Sequence, residues 1–384
     1  MIVYKMVSVC LENITKICGI SPTNLKEERL MYSVYQHWDP LRVCIVGRSY
    51  APEFYGFIKD QHVRRIFEQI AEETEEDYQK LIQLLQKFNV EVLRPELTDD
   101  YEFYRINGGR IAPPPMLPRD HSIMLGNTFY FRTSPNTVNP DSWDDSLVPL
   151  ASDLATWGGV LDRIRQTNPV YNIGRPGLHP ANSATITRIG RDVYVGTWQS
   201  GDTQEERIAA LTKSYPEYRW HNVDTGGHSD GVFCPVKPGL IVSLRDVPTY
   251  TETFPEWEVV YLPGQSWDMV KPFMELKKKN QGKWWVPGQE LNNEFTEFVE
   301  SWLDHWVGYV EETVFDVNML VIDEKNVICN NYNQQVFDAF DRHRITAHVV
   351  NFRHRYFWDS GLHCITSDVA REGTLQDYFP ERFI

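Results

Sequence analysis

The chain has 384 residues, 42% hydrophobic and 24% charged, and 53 acidic against 38 basic side chains give a formal charge of −15. This composition excludes a disordered chain, and the acidic balance argues against a nucleic-acid backbone or an anionic membrane as main partner, because both demand a basic footprint. A small cationic ligand suits the balance better.

Six cysteines, Cys10, Cys18, Cys44, Cys234, Cys329 and Cys364, form no C-x-x-C pair, which argues against a zinc ribbon or thioredoxin-type site. The segment 1–30 starts apolar, but Lys5, Glu12 and Lys16 interrupt it, so it reads as an extension, neither signal peptide nor anchor. No run reaches the ~18 uncharged apolar residues of a membrane span. A cytoplasmic chain with free thiols is expected.

In chain order, 41–47 (LRVCIVG) reads as a strand. A helix follows over 63–88, with Ile66, Phe67, Ile70, Tyr78, Leu81, Leu85 and Phe88 along one stripe, before a strand at 90–93. Two short strands surround Gly126-Asn127 within 121–131. The stretch 184–195 turns near Gly190 and leads to a helix over 205–213 and a strand at 218–223; 231–243 turns at Pro238-Gly239 ahead of a strand at 257–262. Residues 264–314 form a Trp-rich insertion with a helix over 293–306, whose Phe295, Phe298, Val299, Trp302 and Trp306 share one face. That face either packs on the body or covers a pocket mouth. A hairpin at 319–329, a helix over 334–342 and a strand at 346–352 follow, and a strand at 364–369 completes the unit begun at 41. The pattern predicts one α/β domain over 31–384, a ring of five strand-strand-helix-strand (ββαβ) units whose ends meet, with an open α/β sheet as the competitor.

Chemistry-bearing residues fall at equivalent points of these units. Asp120 precedes the first strand of one, His228 and Asp230 open another, and Cys364 opens the closing one. In a pseudosymmetric ring such positions converge at one end of the axis, as a ligand site requires. Strand alternation would put His228 and Asp230 on one face, beside the permissive Gly226-Gly227 pair. Cys364 with a histidine allows nucleophilic catalysis, although a lone cysteine is as readily a small buried hydrophobe, and Arg119-Asp120 is as readily a surface ion pair.

At these residues the chain resembles the glycine amidinotransferase family of the pentein superfamily. The resemblance rests on Met116-Leu117-Pro118-Arg119-Asp120 with Gly126-Asn127, on His228-Ser229-Asp230 leading to Phe233 and Pro238-Gly239, and on Gly361-Leu362-His363-Cys364 through Asp368, Arg371 and Glu372-Gly373-Thr374-Leu375-Gln376. Trp38-Asp39-Pro40-Leu41, Val46-Gly47-Arg48, Gly190-Arg191-Asp192 and Asp323-Glu324-Lys325 match in order. It implies the pentein fold, a fivefold pseudosymmetric α/β propeller, and an amidinotransferase acting on a small-molecule guanidino donor and an amine acceptor without metal or organic cofactor. A homodimer is compatible with it.

The implied chemistry suits the residues. Carboxylates hold a planar guanidinium bidentately, the grip assigned to Asp120 and Asp230, with Arg119, Arg245 and His363 as further substrate-binding positions. The Cys364 thiolate would attack the central guanidinium carbon, with His228 as acid and then base. Two positions depart from the family. Asn182 stands where an Asp commonly orients the histidine, and Val247 where an arginine would grip a substrate carboxylate, leaving that role to Arg245. A guanidine hydrolase and a binding protein without turnover therefore stay open beside the transferase.

Overall fold

The structure is a computed structural model, and it describes residues 32–104, 111–132, 151–172, 183–196, 204–223, 225, 228–244, 250–262, 286, 288–289, 291–303, 306 and 316–382, with Met31 at their edge. At 101, 151–155 and 251 the description is of the backbone alone. Residues 32–384 form one compact unit.

Five three-stranded sheets carry the fold, and each repeats one pattern: an antiparallel pair whose second strand pairs in parallel with a third. Strands β3 (Ser122–Leu125), β4 (Thr128–Phe131) and β5 (Val170–Asn172) make one sheet, and β6 (Ile186–Ile189), β7 (Asp192–Gly196) and β8 (Arg219–Val223) the next. The third is β9 (Phe233–Lys237), β10 (Leu240–Ser243) and β11 (Glu258–Tyr261), and the fourth β12 (Leu320–Asp323), β13 (Asn326–Cys329) and β14 (Thr346–Val349). The fifth joins the two ends of the unit: β15 (Thr366–Arg371) pairs antiparallel with β1 (Leu41–Val46), which pairs in parallel with β2 (Glu91–Leu93). The strand expected at 364–369 thus begins two residues later. Hairpin turns at Gly126, Gly190 and Gly239 all need positive φ, at 57°, 63° and 86°, which glycine adopts without a Cβ clash.

Each parallel pair is bridged by a crossover. Helix α1 (Gln61–Lys87) is capped by Asp60, whose side chain accepts from the amides of His62 and Val63, and it buries Val63, Ile66, Phe67, Ile70, Tyr78, Leu81 and Leu85. Helices α2 (Ala151–Arg165), α3 (Gln204–Ser214) and α5 (Gln334–Arg342) cross over in three other units, whereas the remaining unit has one helical turn, Tyr250–Thr253. The core is divided among clusters between neighbouring sheets and helices. This is the pentein architecture, a fivefold pseudosymmetric α/β propeller.

The insertion contributes α4 (Asn293–Trp302), four residues shorter than the 293–306 expected. Phe295, Val299 and Leu303 are buried against the cluster that contains Phe67 and Phe357, with Phe298 and Trp306 packed at its margin. Trp302, in register with Phe295 and Val299 at i+7 and i+3, is nevertheless 54% exposed as the last residue of the helix. Helix α4 is therefore a packed amphipathic helix. Trp267, Trp284 and Trp285 lie outside the described residues, as does 1–30.

Candidate active site

Four units place a polar side chain two or three residues ahead of their first strand: Asp120, Asp230, Asn318 and Cys364 ahead of β3, β9, β12 and β15. The fifth places Ser183 ahead of β6. These segments are stitched into a circle. Ser183 Oγ donates to the Arg119 carbonyl at 2.6 Å, and Ser229 Oγ to the Thr185 carbonyl at 2.7 Å. Asn318 Nδ2 donates to the Asp230 carbonyl at 3.3 Å, Asn318 Oδ1 accepts from the amides of His363 and Cys364 at 2.8 and 3.1 Å, and the Arg119 amide closes the circle on the Cys364 carbonyl at 3.3 Å. The residues it joins are up to 245 positions apart, as in Arg119 and Cys364.

Inside the circle, His363 Nδ1 is 2.7 Å from Asp230 Oδ2, and the Cys364 thiol donates to the same oxygen at 3.5 Å. His228 Nδ1 lies 4.0 Å from Asp120 Oδ1. Asp120 Oδ1 and Asp230 Oδ1 are both buried without a hydrogen-bond partner among the described residues. Cys364 itself is 3% exposed, yet its sulfur faces Asp230 and the carboxamide of Asn318, 2.9 Å away, not an apolar cluster.

Electrostatics separate the two carboxylates. Burial, reinforced by the neighbouring Asp230, pushes the Asp120 carboxyl up to about 6, with His228 and Arg119 pulling the other way. At Asp230 burial also acts upward, but the hydrogen bond and charge of His363, with His228 and Arg119, outweigh it and leave the carboxyl below its ordinary value. His363 is lowered by burial and by Arg119, with the hydrogen bond and charge of Asp230 acting the other way.

The sequence-predicted residues divide. Asp120, His228, Asp230, His363 and Cys364 come together. His228 and Asp230 do so without strand alternation, because Ser229–Gly231 is a 3₁₀ turn with His228 at its N-cap. Arg119 is adjacent but does not face the site: its side chain is 2% exposed, Nη1 donates to Asp368 Oδ1 at 2.9 Å and Nε to the Thr366 carbonyl at 3.2 Å. The same carboxylate takes Arg188 Nη2 and Arg371 Nε, each at 2.7 Å. Burial would raise the Asp368 carboxyl, but Arg188, Arg119 and Arg371 hold it well below the usual carboxylate range. Arg119 is thus committed to this hub instead of a free substrate contact. Asn182, Arg245, Val247, Gly226 and Gly227 lie outside the described residues.

Sequence reasoning missed Asn318, which sits in no motif. The register argument that singled out Asp120 and Cys364 would have found it, since it precedes β12 by the same two residues. Several motif residues turn out to be scaffold: Trp38 Nε1 donates to Tyr378 Oη at 2.9 Å, Arg371 donates to the Asp39 carbonyl at 2.8 Å, and Asp192 receives His221, Arg219 and Arg382.

A scan against protein-family models matches none. The chain is similar along most of its length to the mitochondrial glycine amidinotransferases of Xenopus tropicalis and Gallus gallus, each 24% identical over 404 residues, covering 90% of this chain and 84% of theirs. Inosamine-phosphate amidinotransferase 1 of Streptomyces glaucescens is 22% identical, covering 91% and 99%. Among solved structures, SxtG, an amidinotransferase of Microseira wollei in the saxitoxin biosynthetic pathway, and the inosamine-phosphate amidinotransferase StrB1 of Streptomyces griseus each superpose with a TM-score of 0.61. Each shares 18% identity and covers 91% of this chain and 99% of its own. The chain is thus similar to the amidinotransferases in sequence and in fold.

Proposed function

We propose that this amidinotransferase moves an amidino group from arginine or a similar guanidino donor to an amine acceptor through a covalent intermediate on Cys364. The observation that carries the reading is the convergence of the Cys364 sulfur with two carboxylates that each keep a buried oxygen without a hydrogen-bond partner among the described residues. Those oxygens suit the N–H groups of a guanidinium.

The steps follow from the chemistry. Asp120 and Asp230 hold the guanidinium, and the Cys364 thiolate adds to its central carbon. His228 donates a proton to the departing amine as the carbon–nitrogen bond breaks, leaving the amidino group on sulfur. The amine acceptor then adds to the same carbon while His228 takes its proton, the carbon–sulfur bond breaks, and the thiolate returns. His363, hydrogen-bonded to Asp230, fixes the orientation of that carboxylate. The relatives' names give glycine and inosamine phosphate, so the acceptor of this chain is left as an amine. A reducing compartment such as the cytoplasm suits a reaction that needs a reduced thiol, and Cys44, Cys234, Cys329 and Cys364 form no disulfide among the described residues.

Incubation with arginine, acid quench and peptide mass spectrometry test the reading. The Cys364 peptide should gain the mass of an amidino group, Cys364→Ala should abolish the adduct, and a panel of amines should discharge it. Ammonia or urea formed without an amine would favour a hydrolase. Arginine binding with no adduct and no product would favour a binding protein, the reading that Asn182 in place of the family's Asp supports.

A further inference from the structure

We propose that Asn318 is the group that holds the Cys364 sulfur in its reactive, ionised form; this rests on Cys364 being the nucleophile. The carboxamide can be oriented without ambiguity. Its oxygen faces two peptide N–H groups, those of His363 and Cys364, and so must be the acceptor, which turns the nitrogen, a donor only, toward the Cys364 sulfur at 2.9 Å. One side chain therefore sets both the loop that carries the sulfur and the charge state of the sulfur. An N–H bond to a thiolate is charge-assisted and stronger than the same bond to a thiol, so it favours ionisation.

Other charges around the sulfur do not supply this. Asp230 faces it as a carboxylate at 3.5 Å and opposes a negative sulfur. His363, next in the chain, is turned to Asp230, and the Arg119 guanidinium is turned to Asp368. From the turns ahead of β3 and β9 come Asp120 and His228, which face each other. Asn318 is fully buried, and its own carbonyl is tied to Asn330 Nδ2 at 2.9 Å, so the carboxamide has a fixed base. Gly361 packs directly on it: a Cβ there would lie 2.6 Å from Asn318 Oδ1.

The test is the pH titration of Cys364, read as ultraviolet thiolate absorbance of each protein minus its Cys364→Ser counterpart. Asn318→Asp keeps an acceptor for the two amides but puts a carboxylate oxygen beside the sulfur. Asn318→Ala removes both contacts, and Gly361→Ala leaves Asn318 in place while displacing its side chain. Each variant should raise the thiol midpoint by about one pH unit or more, and lower kcat about tenfold at neutral pH with KM for arginine moved less than about threefold. A folded Asn318→Asp or Gly361→Ala with the wild-type midpoint overturns the proposal, and a purely structural role would lower the melting temperature without moving the midpoint. Should Asn318→Ala fail to fold, the other two decide. The titration needs no turnover, so a shifted midpoint in a protein that forms no amidino adduct would retain the Asn318 contact and refute the transfer reaction instead.

Discussion

Residues 363–371 feed two buried clusters of charge that are built on opposite principles. At Asp368 a single carboxylate receives three guanidiniums, from Arg119, Arg188 and Arg371, and both its oxygens are used. Around Cys364, two carboxylates face histidines, and each keeps a buried oxygen without a hydrogen-bond partner among the described residues. One cluster is rich in cations and uses both oxygens of its carboxylate, leaving only guanidinium nitrogens, Arg119 Nη2 and Arg188 Nε, buried without a partner among the described residues. The other is short of cations at a site whose proposed substrate brings one. The contrast teaches how to tell scaffold charge from functional charge: both shift pKa values, but the scaffold shifts its carboxylate down and the site shifts one of its carboxylates up.

Exchanging the charges should break the comparison in opposite ways. Asp368→Asn leaves three buried guanidiniums without their anion and should cost about 3–5 kcal/mol, enough to abolish folding or collapse the thermal midpoint. A variant that melts like wild type would show that the hub is not an electrostatic keystone. Asp230→Asn should leave the melt nearly intact while kcat/KM for arginine falls about 10²–10³-fold, corresponding to about 3–4 kcal/mol of transition-state stabilisation. Steady-state kinetics beside calorimetry separates the two.

Asp120→Asn sharpens the contrast further, through pH. A carboxyl raised to about 6 is protonated more readily in the folded chain than in the unfolded one, so its contribution to stability is present at low pH and lost as pH rises through about 6. Removing the charge should therefore stabilise the protein by about 1–3 kcal/mol above pH 7 and by little below pH 4. Donor binding moves the other way: in wild type it should weaken as pH falls through about 6, and in Asp120→Asn that limb should vanish with the affinity. Melting curves unchanged at pH 8 would contradict the raised carboxyl. The smallest effect is expected of Arg119→Lys, which keeps the charge but loses the Nε bond to Thr366 and should cost about 1–2 kcal/mol with KM unchanged. A tenfold rise in KM with an unchanged melt would return Arg119 to the substrate.

Three of the four hairpins were legible because Gly126, Gly190 and Pro238-Gly239 punctuate alternating apolar runs, and α1 and α5 because their apolar stripes are long or cleanly capped. Helix α2 was not, although Trp157, Val160, Leu161 and Ile164 bury one face. Gly158 and Gly159 sit in its middle, where glycine costs roughly 1 kcal/mol per residue and reads as a break. Within the candidate site, Cys364, Asp120, His228, Asp230 and His363 were legible from position and motif together. The committed state of Arg119 was not, because nothing local announces that Asp368, 249 residues away, will claim its guanidinium. Asn318 was hidden for a different reason: an isolated Asn ahead of a strand is common, and only the repeat register gives it meaning.

The circle of contacts that carries the site also sets when the site can exist. Its last members, His363 and Cys364, are placed by the loop leading into β15, and β15 is anchored by pairing with β1 near the other end of the unit. During synthesis the carboxylates of the site are made long before the sulfur, which joins them only when β15 pairs with β1. Such end-to-end pairing is the most non-local contact a chain can make, and the slowest to form. A protein truncated ahead of residue 366 would thus leave the loop of His363 and Cys364 unanchored, so placement of the sulfur reports that β15 has paired with β1.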